Sequence, residues 1–202
     1  QTVEQLVSLE ESYQRVADEQ LGRWLAERHA GTSVLVIMPE KNPTAAMQAR
    51  VAAFKAGLKG SLGIEDLVAI EVEDSTGSLS PMEQMAARHF DALLERYPYC
   101  TMVVSFIGLP SDFAKMKAWE LKPDRRPRFI LPLDAPIPGD LRKMLAQLEV
   151  LAAVVRRPDA IIDRTPVPED LQMAFDRRFL LISAENVQEL DARYPGRLFP
   201  SQ

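Results

Sequence analysis

Residues 33–60 read SVLVIMPEKNPTAAMQARVAAFKAGLKG, and this stretch decides the fold. Ser33-Val-Leu-Val-Ile-Met38 is a continuous apolar run of strand length, the pattern of a strand buried on both faces. Asn42-Pro43 then supplies an N-cap and a proline at the first helical position. Met47, Val51, Phe54 and Leu58 recur on one stripe, so the spacing predicts a helix to about Gly60. A buried strand, a short loop and an amphipathic helix in that order form the repeating unit of a parallel sheet.

The same alternation continues along the chain. Leu67–Val72 reads as the second strand. Ser80-Pro-Met-Glu83 is a capping box with proline at N1, and it opens a helix to Tyr97 that buries Met82, Met85, His89 and Leu93. Met102–Ile107 is the third strand, followed by a short helix from about Pro110 to Leu121. Arg128–Leu133, Leu151–Val155 and Phe179–Ile182 read as strands four, five and six. Helices are predicted over Gly139–Gln147, Pro168–Phe175 and from Ser183 to about Arg193. Five strand–helix alternations predict a doubly wound parallel sheet in a three-layer α/β sandwich. The right-handed crossover rule favours the order 2-1-3-4-5, with the sixth strand beyond.

Ahead of this unit, residues 2–29 read as one long amphipathic helix ended by Gly31. The expected division is therefore an N-terminal helix over residues 1–32 and a single α/β domain over 33–202. The apolar stripe of that helix holds Leu6, Leu9, Tyr13, Val16, Leu21 and Trp24, while Glu4, Glu10, Glu11, Asp18, Glu19 and Glu27 read as its outer, acidic face. Burying one such apolar side chain is worth about 1.5–3 kcal/mol, so the stripe must dock. Either its own helical layer or a second chain can receive it. The second chain is favoured, because the helices at 43–60, 81–97, 110–121 and 139–148 already suffice to cover both faces of the sheet.

Composition narrows the function classes. The 202 residues are 47% hydrophobic and 26% charged, as in ordinary globular domains. Twenty-nine acids against 24 bases leave a net charge of −5, which argues against nucleic acid as a partner. No apolar run approaches the roughly 18 residues of a membrane span. The single cysteine, Cys100, excludes an internal disulfide and reads as a buried small hydrophobe.

In open α/β sheets the ligand site lies beyond the carboxyl ends of the strands, at the switch point of strand order. The residues expected there include Asn42 after strand one, Asp74 after strand two and Asp134 after strand four, and these three are the candidate ligand-binding residues. Gly108-Leu-Pro-Ser-Asp112 could offer backbone N–H groups to an anion. No phosphate-binding glycine loop and no nucleophile elbow occurs. His29 and His89 read as structural. No catalytic residue, metal ligand or cofactor is assigned, and the reading leans to a non-catalytic domain. Arg125, Arg126, Arg128, Arg156 and Arg157 form a local basic group suited to a solvated rim or an anionic partner.

Val34-Leu-Val-Ile-Met-Pro39, Asn42-Pro43 and Ala53-Phe-Lys-Ala-Gly-Leu-Lys59 resemble the first strand, loop and helix of the type I periplasmic-binding-protein family, the sugar-binding proteins and their repressor relatives. Leu93–Pro98, Met102–Phe106, Phe129–Asp134 and Ala153–Arg156 resemble its second lobe. Ser183–Glu189 is similar to the tail of exported members. The resemblance spans residues 33–190. It implies a bacterial exported domain that binds a small polar molecule such as a sugar, in the periplasm or otherwise outside the cytoplasm. Only Asn42 and Asp134 match positions near which that family places cleft residues. A chain beginning at Gln1 fits a trimmed form or a mature exported protein. The competing expectations are an interaction or scaffold domain that self-associates through the N-terminal helix, and an enzyme with an unrecognised site.

Overall fold

The computed structural model describes residues 3–70, 85–160, 163 and 165–199. Its elements are α1 (Val3–Arg28), β1 (Ser33–Met38), α2 (Ala45–Leu58), β2 (Gly63–Ala69), α3 (Ala87–Leu94), β3 (Met102–Ser105), β4 (Arg128–Leu131), α4 (Leu141–Ala146), β5 (Val150–Arg156), α5 (Leu171–Arg178), β6 (Phe179–Ser183) and α6 (Val187–Arg193). They build one six-stranded sheet in the order β2-β1-β3-β4-β5-β6. The first five strands are parallel, as the alternation predicts, and β6 returns antiparallel beside β5. The reversal has a local cause: α5 runs directly into β6 at Arg178–Phe179, leaving no connection with which to cross back over the sheet.

The apolar runs of the central strands divide between two cores because successive side chains point to opposite faces. Leu35, Ile37, Val103, Phe129 and Leu131 pack with Phe90, Leu141 and Leu190 on one face. Val34, Val36, Val104 and Ile130 pack with Phe54, Phe175 and residues of α1 on the other.

The N-terminal helix docks on its own chain. Tyr13, Ala17, Leu21 and Leu25 are fully buried in the core shared with α2 and α5. The helices expected to cover both faces do not do so: α3, the turns after β3 and α4 all lie on the opposite face, and α2 alone would leave β4 and β5 bare. The reversal of strand order at β1 sends the crossovers from β2 through β5 to that other face, while α5, which leads into the antiparallel β6, returns to the face of α1. Close approach of α1 to α2 depends on two glycines. A Cβ on Gly22 would stand 2.3 Å from the Phe54 carbonyl oxygen, and one on Gly57 would stand 2.1 Å from that of Glu19.

Several local expectations shift. The cap of α2 is Thr44, whose hydroxyl accepts from Met47 N–H, so Asn42-Pro43 belongs to the loop before it. β2 (Gly63–Ala69) begins four residues before the expected Leu67, because its register is set by pairing from Ser33–Gly63 onward, and positions 71 and 72 of the expected strand lie outside the described residues. The helix expected over 110–121 is a series of 3-10 turns. The last helix takes its cap position at Asn186 rather than Ser183. The capping box at 80–83 lies outside the described residues.

Candidate ligand-binding edge

α1 runs antiparallel to β4 and β5 and brings polar side chains to their carboxyl ends. Gln14 donates to Asp134 at 3.1 Å, and Glu10 meets Arg156 at the end of β5 at 2.5 Å. Arg178, at the end of α5, pairs with Glu10 at 3.1 Å and lies 3.6 Å over the Tyr13 ring. Asp134 also faces Arg156 at 3.4 Å, and its backbone is left-handed with φ 65°, a conformation aspartate tolerates better than most residues.

One layer below lies an ion pair. Arg50 of α2 holds Asp18 of α1 through two hydrogen bonds of 2.7 and 3.1 Å, and donates a third of 2.8 Å to the carbonyl of Leu133. Its guanidinium also lies 5.1 Å from the Phe106 ring centre. Asp18 is fully buried, not on an outer acidic face. The pair ties α1, α2 and the loop after β4 into one unit directly behind Asp134. Both side chains interrupt apolar stripes, Asp18 between Ala17 and Leu21 and Arg50 beside Val51. Two opposite charges embedded in such stripes are the signal in the sequence for a buried pair.

Burial pushes the Asp18 carboxyl up to about 6 against the opposing hydrogen bonds and charge of Arg50. An acid whose pKa is higher in the folded chain than the roughly 3.9 of an unfolded one binds its proton on folding. Its stabilising contribution is therefore complete below about pH 4 and lost as pH rises through 6. Unfolding free energy is expected to gain roughly 3 kcal/mol from this group between pH 7.5 and 4. The check is urea unfolding across that range for the natural chain and Asp18→Asn. A difference between them that stays flat with pH would refute the assignment.

The three candidate ligand residues fare differently. Asn42 is exposed in the loop after β1. Asp134 is exposed at the same edge but engaged by Gln14 and Arg156. They stand two strands apart, about 10 Å at ordinary strand spacing, and no contact joins them among the described residues. Asp74 lies outside the described residues.

The remaining polar groups at this edge have structural partners. Asp112 accepts from Ala87 N–H at the start of α3, and the turn that follows it is only three residues long, too short for a helix-terminal anion site. His89 Nδ1 accepts from Ala86 N–H. At the opposite, amino edge, just before β3, Cys100 is buried against the carbonyls of Met102 and Ser33, with its thiol pKa raised by burial. The arginine group splits: Arg156 and Arg157 belong to the carboxyl edge, while Arg125 and Arg126 precede β4 and Arg128 opens it at the amino edge. Arg157 binds Asp159 and holds its carboxylate down at about 2. Among the described residues no cluster of three or more His, Cys, Asp or Glu could hold a metal. No described helix is long and apolar enough to cross a membrane.

No family model and no curated protein sequence matches the chain. Solved structures do. The periplasmic component of the arabinose ABC transporter from Shewanella sp. ANA-3, bound to L-arabinofuranose, superposes with TM-score 0.54 at 14% identity, covering 92% of this chain and 62% of that one. A chain of the XylFII–LytSN complex gives TM-score 0.53 at 14% identity, covering 86% and 61%. A solute-binding protein from Burkholderia graminis C4D1M, in complex with D-arabinose, gives 0.50 at 14% identity, covering 84% and 60%. The fold is periplasmic-binding-protein-like, and two of these three neighbours are the solute-binding or periplasmic-binding components of ABC transporters. The chain spans about three-fifths of the length of each.

Proposed function

We propose that this chain is a non-catalytic, exported binding domain that takes a small polar molecule such as a sugar at the carboxyl edge of its sheet. The carrying observation is the strand order, which reverses between β1 and β3, the place beyond whose carboxyl ends open α/β sheets take their ligands, beside the loop that holds Asn42. Sugar-bound neighbours of the same fold support the choice of ligand class. Asn42 supplies an amide that can both donate to and accept from sugar hydroxyls, and Asp134 supplies an acceptor.

A site built on one edge encloses less of its ligand than a closed pocket, so affinity is expected near a Kd of about 1 mM. The test is amide chemical-shift mapping with L-arabinose, D-arabinose, glucose and galactose. Shifts confined to residues 39–43 and 133–136, reduced in Asn42→Ala and Asp134→Asn, are the expected result. No saturating shift at these positions, with any of the four sugars at about 50 mM, overturns the reading.

A second reading, self-association through the N-terminal helix, is favoured by one observation. The buried stripe of α1 is used up within the chain, but Val3, Leu6 and Val7 in its first two turns are exposed.

A further inference from the structure

The amino edge of the sheet carries a second feature that the ligand reading leaves unused. A groove of about 580 Å³ runs between the turns before β4 and the turn from α4 into β5. Trp119, Pro123, Pro127 and Leu148 give it an apolar floor, with Arg126 and Arg128 at its sides. Leu148 is 51% exposed and holds a left-handed backbone, φ 58°. It occupies the position after α4 where glycine is usual, with Glu149 N–H closing the helix end onto the Met144 carbonyl. A leucine there strains the backbone and keeps an apolar side chain in water. Lys122, Arg125 and Arg126 are exposed around it and Arg128 is half-buried, against the exposed Glu120 and Asp124 and the half-buried Glu149, so four basic groups face three acidic ones at the rim.

The first two turns of α1 are the complement. Residues 3–8 are all exposed. The helix is level with the carboxyl ends of β4 and β5 at Glu10–Gln14, so its first two turns reach about 10 Å past the sheet at 1.5 Å per residue. Val3, Leu6 and Val7 present an apolar ridge there, with Glu4 and Glu11 exposed and no basic residue before Arg15. Ridge and groove sit at opposite edges of one sheet and cannot meet within a chain.

We propose that the α1 end of one copy docks in the amino-edge groove of the next, joining copies head to tail. The occupant is a second copy because the ridge is apolar and acidic where the groove is apolar and basic. This deepens the self-association reading and rests on it. A contact between two different surfaces does not close at two copies; it continues into rings or open chains. The area is small, so association is weak, in the range of tens of micromolar.

Sedimentation velocity of the full chain tests it with two variants whose changes are all at exposed positions, Leu6→Glu with Val7→Glu on the ridge and Arg125→Glu with Arg126→Glu at the groove. The full chain is expected to pass beyond dimer at about 200 µM and to dissociate at high salt. Each variant alone is expected to be monomeric, with an unchanged circular dichroism spectrum. Their equimolar mixture is expected to form a heterodimer and nothing larger, because one intact ridge meets one intact groove. Oligomers that survive in the groove variant overturn the head-to-tail contact and leave self-association standing. A full chain that stays monomeric at that concentration overturns both.

Discussion

Arg50→Ala is expected to lower the unfolding free energy by roughly 3–5 kcal/mol, the cost of leaving a buried charge without its partner. The substitution removes both hydrogen bonds to Asp18, the bond to the Leu133 carbonyl and the stack on Phe106. For a chain of this size that is a fall in Tm of about 10 °C. Asp18→Leu combined with Arg50→Met removes both charges and is expected to lie within about 1 kcal/mol of the natural chain, since well-packed apolar residues commonly replace a buried pair without loss. Urea midpoints for the single and double variants decide the matter. A single variant that loses less than about 1 kcal/mol would show that the pair is not sealed from water.

Gly57→Ala is expected to be destabilising even though alanine is the better helix former by about 1 kcal/mol. The added Cβ meets the Glu19 carbonyl oxygen at 2.1 Å, and that neighbour is backbone, so one helix must move away from the other. Overpacking of this kind costs about 1–3 kcal/mol and occasionally more, and the rigid neighbour places this site at the upper end. Gly63→Ala is the control: its Cβ would stand 3.8 Å from the Cβ of Ser33, an ordinary contact, and it is expected to leave thermal unfolding within about 2 °C of the natural chain. Equal Tm values for the two variants would mean that α1 is not held against α2 as described.

Sheet order was legible because Ser33–Met38 and the runs like it are too apolar for any place but the middle of a sheet, and the crossover rule then leaves few arrangements. The docking of α1 was less legible. Its stripe signals burial, but which surface receives it depends on how the crossovers divide between the two faces, and no local pattern states that. The burial of Asp18 is hidden for a related reason: a charge on an amphipathic helix reads as solvent-facing until its partner, 32 positions away on another stripe, is recognised. Gly22 and Gly57 carry no signal singly, and only the apposition of α1 and α2 gives them meaning. At the edge, Asn42 and Asp134 follow from strand positions alone. The sequence does not show that Asp134 is engaged by Gln14 and Arg156, because those contacts join distant elements.

The docking of α1 between α2 and α5 also bears on the order in which the molecule is made. Glu10 pairs with Arg178, 168 positions later in the chain. At a translation rate of about 5–20 residues per second, the first helix waits roughly 8–30 s after synthesis before α5 exists to cover its flank. During that interval α2 can dock, but Tyr13 has neither Arg178 nor Phe179 beside it. The nascent chain thus carries an exposed aromatic face until its last quarter emerges, the stage at which a holding chaperone would find a binding site that the finished protein no longer offers.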